Sequence, residues 1–91
     1  MLKVSNITRK LAQLNNIKLV EDAKNNTLSF TVLNDSEQKP VILWAVSPRN
    51  ELVFKDAPGL SPEMKEELPH WVSDNNKLRE VIRFVKPAFT A

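Results

Sequence analysis

The chain has no cysteine, no tyrosine, one glycine and one histidine in 91 residues, and each shortage removes a class of chemistry. Without cysteine there is no disulfide framework, no thiolate metal site and no thiol nucleophile, and the expected setting is the reducing cytoplasm. His70 alone cannot supply an imidazole set, and Glu66 or Glu67 beside it leave too few converging ligands for zinc or iron, so no metal is expected. Gly59 alone cannot build a phosphate-cradling loop, which removes P-loop and dinucleotide fingerprints. No serine is bracketed by the glycines of a nucleophile elbow. Glu66 and Glu67 are neighbours that point about 100° apart on a helix, which is a solvated face rather than a facing carboxylate pair. The expectation is a protein that is not an enzyme, with no cofactor and no small-molecule substrate.

Long apolar runs are also missing. The longest, Val41-Ile42-Leu43-Trp44-Ala45-Val46, is far short of the ~20 residues that cross a bilayer. Met1 to Asn6 has no apolar segment of the signal-peptide kind, so neither a membrane helix nor a leader is expected. The run is closed by Pro40 in front and by Ser47-Pro48 behind. A short apolar run between turn formers reads as a strand buried on both faces, around which the other elements are arranged.

What is present is a sequence of period changes. Val4, Ile7, Leu11 and Leu14 recur at three- and four-residue steps and predict a helix over 4–15, with Ser5 as N-cap and Asn15-Asn16 as the stop. From Ile17 the period is two, in two strands joined by Ala23-Lys24-Asn25-Asn26, the second being Thr27 to Leu33. After the polar loop Asn34 to Pro40 comes the central strand, a turn at Ser47-Pro48-Arg49-Asn50, and a fourth strand at Glu51 to Lys55. Short connections give an antiparallel meander in the order 1-2-3-4. Asp56-Ala57-Pro58-Gly59-Leu60 leaves the sheet, and Ser61-Pro62-Glu63 is a capped helix start. Met64, Leu68, Trp71 and Val72 share one helical arc across Pro69, so a kinked helix or two short helices are expected there, followed by a last helix at about 76–86 with Leu78, Val81, Ile82 and Val85 on its apolar face. The predicted class is α+β: an N-terminal helix, a four-stranded meander and two to three C-terminal helices in one domain over 1–91. That layout is common to several small binding folds and contains no motif that singles one out.

Two binding surfaces follow. Phe30, Ile42, Trp44, Val46 and Phe54 fall on the sheet face that the first helix covers. Val20, Leu33, Val41, Leu43, Ala45 and Val53 fall on the other, and either the second and third helices wrap round to bury them or another chain does. On this pattern Val41, Leu43, Val53, Val20 and Leu33 are candidate protein-interface residues, for a protein partner or a second copy in a homodimer.

The second surface is electrostatic. Net charge is only +2, yet the basic residues gather at the two ends of the chain and the acids in the segment 56–74. Arg9 and Lys10 on the first helix with Arg79, Arg83 and Lys86 on the last could meet the phosphates of a nucleic acid if those helices lie side by side. The lack of exposed aromatic parity on the sheet argues against a base-stacking platform, so this is the alternative to protein binding.

Overall fold

The structure is a computed structural model that describes residues 3–37 and 39–89. Gln38, inside the predicted loop, and the chain ends at 1, 2, 90 and 91 lie outside the described residues. The elements are α1 (Asn6–Leu14), β1 (Ile17–Asp22), β2 (Thr27–Val32), β3 (Pro40–Val46), β4 (Leu52–Asp56), α2 (Pro62–Glu67), β5 (Trp71–Val72), α3 (Asn75–Val85) and a terminal 3-10 turn (Lys86–Ala88). The class is α+β, and the sheet is an antiparallel meander of five strands in the order β1-β2-β3-β4-β5, one more than the sequence pattern showed.

Local chemistry accounts for the boundaries. Each long helix starts on a capping side chain: the Thr8 amide donates to Ser5 Oγ at 3.2 Å, and the Lys77 amide to Asp74 Oδ1 at 2.9 Å. Ser61 caps α2 in the same way, with Pro62 in the first turn where its missing amide is no loss. Four asparagines, Asn16, Asn26, Asn34 and Asn50, take positive φ, the left-handed conformation that asparagine tolerates best after glycine. They stand at the ends of α1, of the β1–β2 turn, of β2 and of the β3–β4 turn. A chain with one glycine thus uses asparagine for its tight reversals.

The fifth strand corrects the helical reading of 68–72. A proline disfavours helical backbone in the residue before it, and Leu68, ahead of Pro69, is extended at φ −69° and ψ 130°. The helix therefore stops at Glu67, and Trp71 and Val72 turn to alternating strand parity and pair with Val53 and Leu52. Val72 goes into the core, whereas Trp71, placed by helical phase beside it, remains 57% exposed.

The core lies on one face of the sheet. Phe30, Ile42, Trp44, Leu52 and Val72 from the strands meet Leu78, Val81, Ile82 and Val85 from α3, with Val4 and Ala12 from the first helix region. Phe30 sits between Trp44 and Phe89, its ring 6.0 Å and 6.5 Å from theirs, spacings typical of aromatic packing in cores. Leu60 and Leu68, with Met64 half-buried, pack into the same cluster. α2 and α3 therefore contribute to the face that α1 covers rather than wrapping to the other.

α1 is rolled about its axis relative to its sequence pattern. Thr8 and Ala12 are its buried residues, and Ile7 and Leu14, expected on the inner face, are 73% and 77% exposed. Small residues let the helix approach closely, and a polar network holds it there. The Asn75 side-chain oxygen accepts from the Ser5 amide at 3.0 Å and from the Thr8 hydroxyl at 3.1 Å, and its nitrogen donates to the Lys3 carbonyl. Arg79 donates to Thr8 Oγ1 at 3.1 Å. At the other end Asn16 Nδ2 donates to the Phe89 carbonyl at 2.6 Å. Start is pinned to start and end to end, so α1 and α3 run side by side in the same direction.

Candidate functional site

Alternate residues of the same strands build the opposite face. The register places Asp22, Thr27, Ala45, Val53 and Trp71 in one row across all five strands, and Val20, Ser29 and Leu43 in the next. Val20, Leu43, Ala45 and Val53 do not belong to the core cluster or to the half-buried residues packed against it. Val20, Ser29, Leu43 and Ala45 are half-buried and Thr27 and Thr31 buried, while Val53 is 41% and Trp71 57% exposed. The result is a band of aliphatics with an indole at its β5 end and threonine and serine along β2. The central apolar run is consequently buried on one face only, and the expectation of burial on both faces is corrected.

The register also revises the candidate set. Val20, Leu43 and Val53 lie on this face as the period-two reading places them. Val41 does not share it, because a bulge shifts the β2–β3 pairing so that Phe30 opposes Ile42 but Thr31 opposes Pro40, leaving Val41 as the extra residue. Its carbonyl accepts from the Gly59 amide at 3.1 Å, and its side chain lies under Gly59 and packs against the core. Leu33 stands one residue past β2, in a turn, and lines a cleft with Arg9 and Gln13 of α1. Trp71 is the residue that periodicity assigned to the wrong element, and Pro69 is the signal that could have reassigned it.

The basic candidates come together only in part. α1 and α3 are neighbours, as the electrostatic reading requires. Arg9, however, is ion-paired to Glu21, and Arg79 spends its guanidinium on Thr8 and Asn76, so both serve the fold. Lys10, Arg83 and Lys86 are exposed. His70 stacks on Phe54, with ring centroids 5.2 Å apart and planes at 17°, and its carbonyl accepts from the Phe54 amide, so it closes the β4–β5 pairing. No three His, Asp or Glu side chains gather into a cluster able to hold a metal among the described residues, and no helix among them is long and apolar enough to cross a membrane.

A cleft of about 510 Å³ beside β1 is lined by Arg9 and Gln13 of α1, by Ile17, Lys18 and Leu19 of β1, and by residues 33–36. Asp22, at the opposite end of β1, binds the β1–β2 turn: its carboxylate accepts from Asn25 Nδ2 and from the amides of Lys24 and Asn25. The Asn25 side chain, followed by its amide, holds the Asp22 carboxyl below the ordinary carboxylate range. Comparison with known proteins finds no match for this chain among family models, curated proteins or solved structures.

Proposed function

We propose that the protein is a non-enzymatic module that binds another protein, or a second copy of itself, through the open face of its sheet. One observation carries this reading: Val53 and Trp71, cross-strand neighbours, stay 41% and 57% exposed on the face that also carries Leu43, Ala45 and Val20, none of which packs into the core cluster. Contiguous apolar surface of this kind on a soluble domain marks an interaction site more often than a neutral surface. An exposed tryptophan such as Trp71 is also the residue type enriched at interface centres. A cytoplasmic setting belongs to the same reading, since the core is built without a disulfide.

Trp71 supplies the test. In a Trp44→Phe background it is the sole tryptophan, and its emission and its quenching by acrylamide report whether the face is covered. Trp71 should become blue-shifted and protected as protein concentration rises, or on adding a purified protein that binds the wild type and not Leu43→Glu. An indole equally quenchable under both conditions contradicts the proposal.

The nucleic-acid alternative keeps one favourable observation, the adjacency of α1 and α3, and rests on Lys10, Arg83 and Lys86 now that Arg9 and Arg79 are engaged within the fold. It requires retention on DNA or RNA that weakens as salt rises. A protein that passes through both matrices at low ionic strength removes it.

A further inference from the structure

β1 is an edge strand, and its unpaired side has a definite hydrogen-bonding pattern. The Leu33 amide donates to the Asn16 carbonyl, and Ile17 to Asp22 pair in order with Val32 to Thr27. In an antiparallel ladder the inward-bonded positions alternate, so Lys18, Val20 and Asp22 turn their peptide groups toward β2, and Ile17, Leu19 and Glu21 turn theirs outward. Among the described residues no strand pairs with the outer side of β1, and α1 reaches that strand through the Arg9–Glu21 ion pair. A cleft lined by Ile17, Lys18 and Leu19 lies beside the first half of the strand. The other edge offers no comparable template, because β5 is two residues long and is preceded by Pro69.

The side chains of β1 select what pairs there. On the open face the strand presents Lys18, Val20 and Asp22 in that order. Lys18 is exposed and takes part in no ion pair. Two such strands laid antiparallel about a twofold axis through Val20 put Lys18 of each copy opposite Asp22 of the other, with Val20 against Val20. These positions are the non-hydrogen-bonded pairs, where cross-strand side chains come closest. Moving the axis to Leu19 sets Lys18 against Val20 and loses both charge pairs. We propose that β1 is a self-association edge, at which a second copy of the chain adds its own β1 antiparallel about Val20 and continues the sheet across the twofold axis. The turn around Asp22 supports this, since Asn25 and the turn amides fix the carboxylate in place and keep it ionised. The inference goes beyond the open-face reading, because it concerns the edge of the sheet and brings the open faces of two copies into one continuous surface.

A single cysteine in a chain that has none tests the register. Opposed residues in a non-hydrogen-bonded pair have Cα atoms about 4.5 Å apart, within the roughly 4.4–6.8 Å that a disulfide spans. Under a glutathione redox buffer Val20→Cys should form a covalent dimer, and Val53→Cys, on the same face but three strands away, should not. Adding Lys18→Glu to Val20→Cys sets two like-charged pairs across the axis and should slow cross-linking about tenfold. Lys24→Glu, with the same change in net charge outside the paired strand, should leave the rate unchanged. Both cysteine positions lie on surfaces outside the core, and the thermal midpoint of each variant reports that it is folded. Val20→Cys remaining monomeric at millimolar concentration, Val53→Cys cross-linking as fast, or Lys24→Glu slowing the reaction as much as Lys18→Glu would overturn the proposal. If both cysteines cross-link equally while Leu43→Glu abolishes assembly, the edge inference fails and the open-face reading stands.

Discussion

The two faces of the sheet are made by alternate residues of the same strands, yet they are different environments. On one, Phe30, Ile42, Trp44, Leu52 and Val72 are all at 0% exposure under α1 and α3. On the other, Val53 and Trp71 are 41% and 57% exposed, and Leu43 and Ala45 are half-buried without joining the core cluster. Apolar residues occupy both, so composition does not separate them. What separates them is the number of helices: a chain of 91 residues supplies two long ones, and both lie on one side. The energy of folding should therefore reside on the inner face, and the outer face should be nearly free to change.

The largest effect is expected at Trp44. Truncation to Ala removes a wholly buried indole and should cost about 3–5 kcal/mol, against a total of ~5–15 kcal/mol for a domain of this kind. Val53→Ala on the outer face should cost under about 1 kcal/mol, as surface substitutions usually do. Trp44→Phe sharpens the comparison, because the indole N–H is buried without an acceptor among the described residues and its removal offsets part of the lost packing. Urea midpoints of the three variants check the ranking, and equal losses at Trp44 and Val53 would erase the distinction between faces.

Gly59 tests the bulge that takes Val41 out of the outer face. A Cβ there would stand 2.6 Å from Val41 Cγ1 and 3.0 Å from the Val41 backbone, so Gly59→Ala must push the 57–60 segment away from the bulge. The expected cost is about 1–3 kcal/mol, the range for overpacking, read as a lower thermal midpoint. An unchanged midpoint would mean that Val41 is not held under that segment. Asn75→Ala comes next. It deprives the Ser5 amide and the Thr8 hydroxyl of their acceptor and should cost about 1–2 kcal/mol, with faster hydrogen exchange in the first turn of α1 before the rest of the chain.

Much of this architecture is legible in the sequence, and the exceptions have physical causes. The caps at Ser5 and Ser61 and the reversals at Asn16, Asn26 and Asn50 depend on local chemistry, so the first helix and the four-strand meander follow from neighbours in the chain. Helical phase carried across Pro69 hid β5, because the apolar spacing of Leu68, Trp71 and Val72 fits both periods and only the restriction on Leu68 decides between them. Strand parity misplaced Val41 because a bulge adds a residue that no composition cue announces. The roll of α1 is set by Asn75 and Arg79, whose partners in the α1 region are 67 or more residues away in the chain, beyond the reach of periodicity. Of the candidate interface, Val20, Leu43 and Val53 were readable, and Trp71, its most exposed member, was not.

The central claim is that the face bearing Leu43 and Val53 lies outside the core of the chain and is a surface for another. Leu43→Glu tests it most directly, with the thermal midpoint and the sedimentation mass measured on one sample. The account predicts a folded variant, destabilised by no more than about 1 kcal/mol, that loses the association or partner binding made through this face while any pairing at the β1 edge persists, because the carboxylate enters water and not a core. A variant that unfolds, or one in which Trp71 is protected by association or by a partner as it is in the wild type, would contradict it.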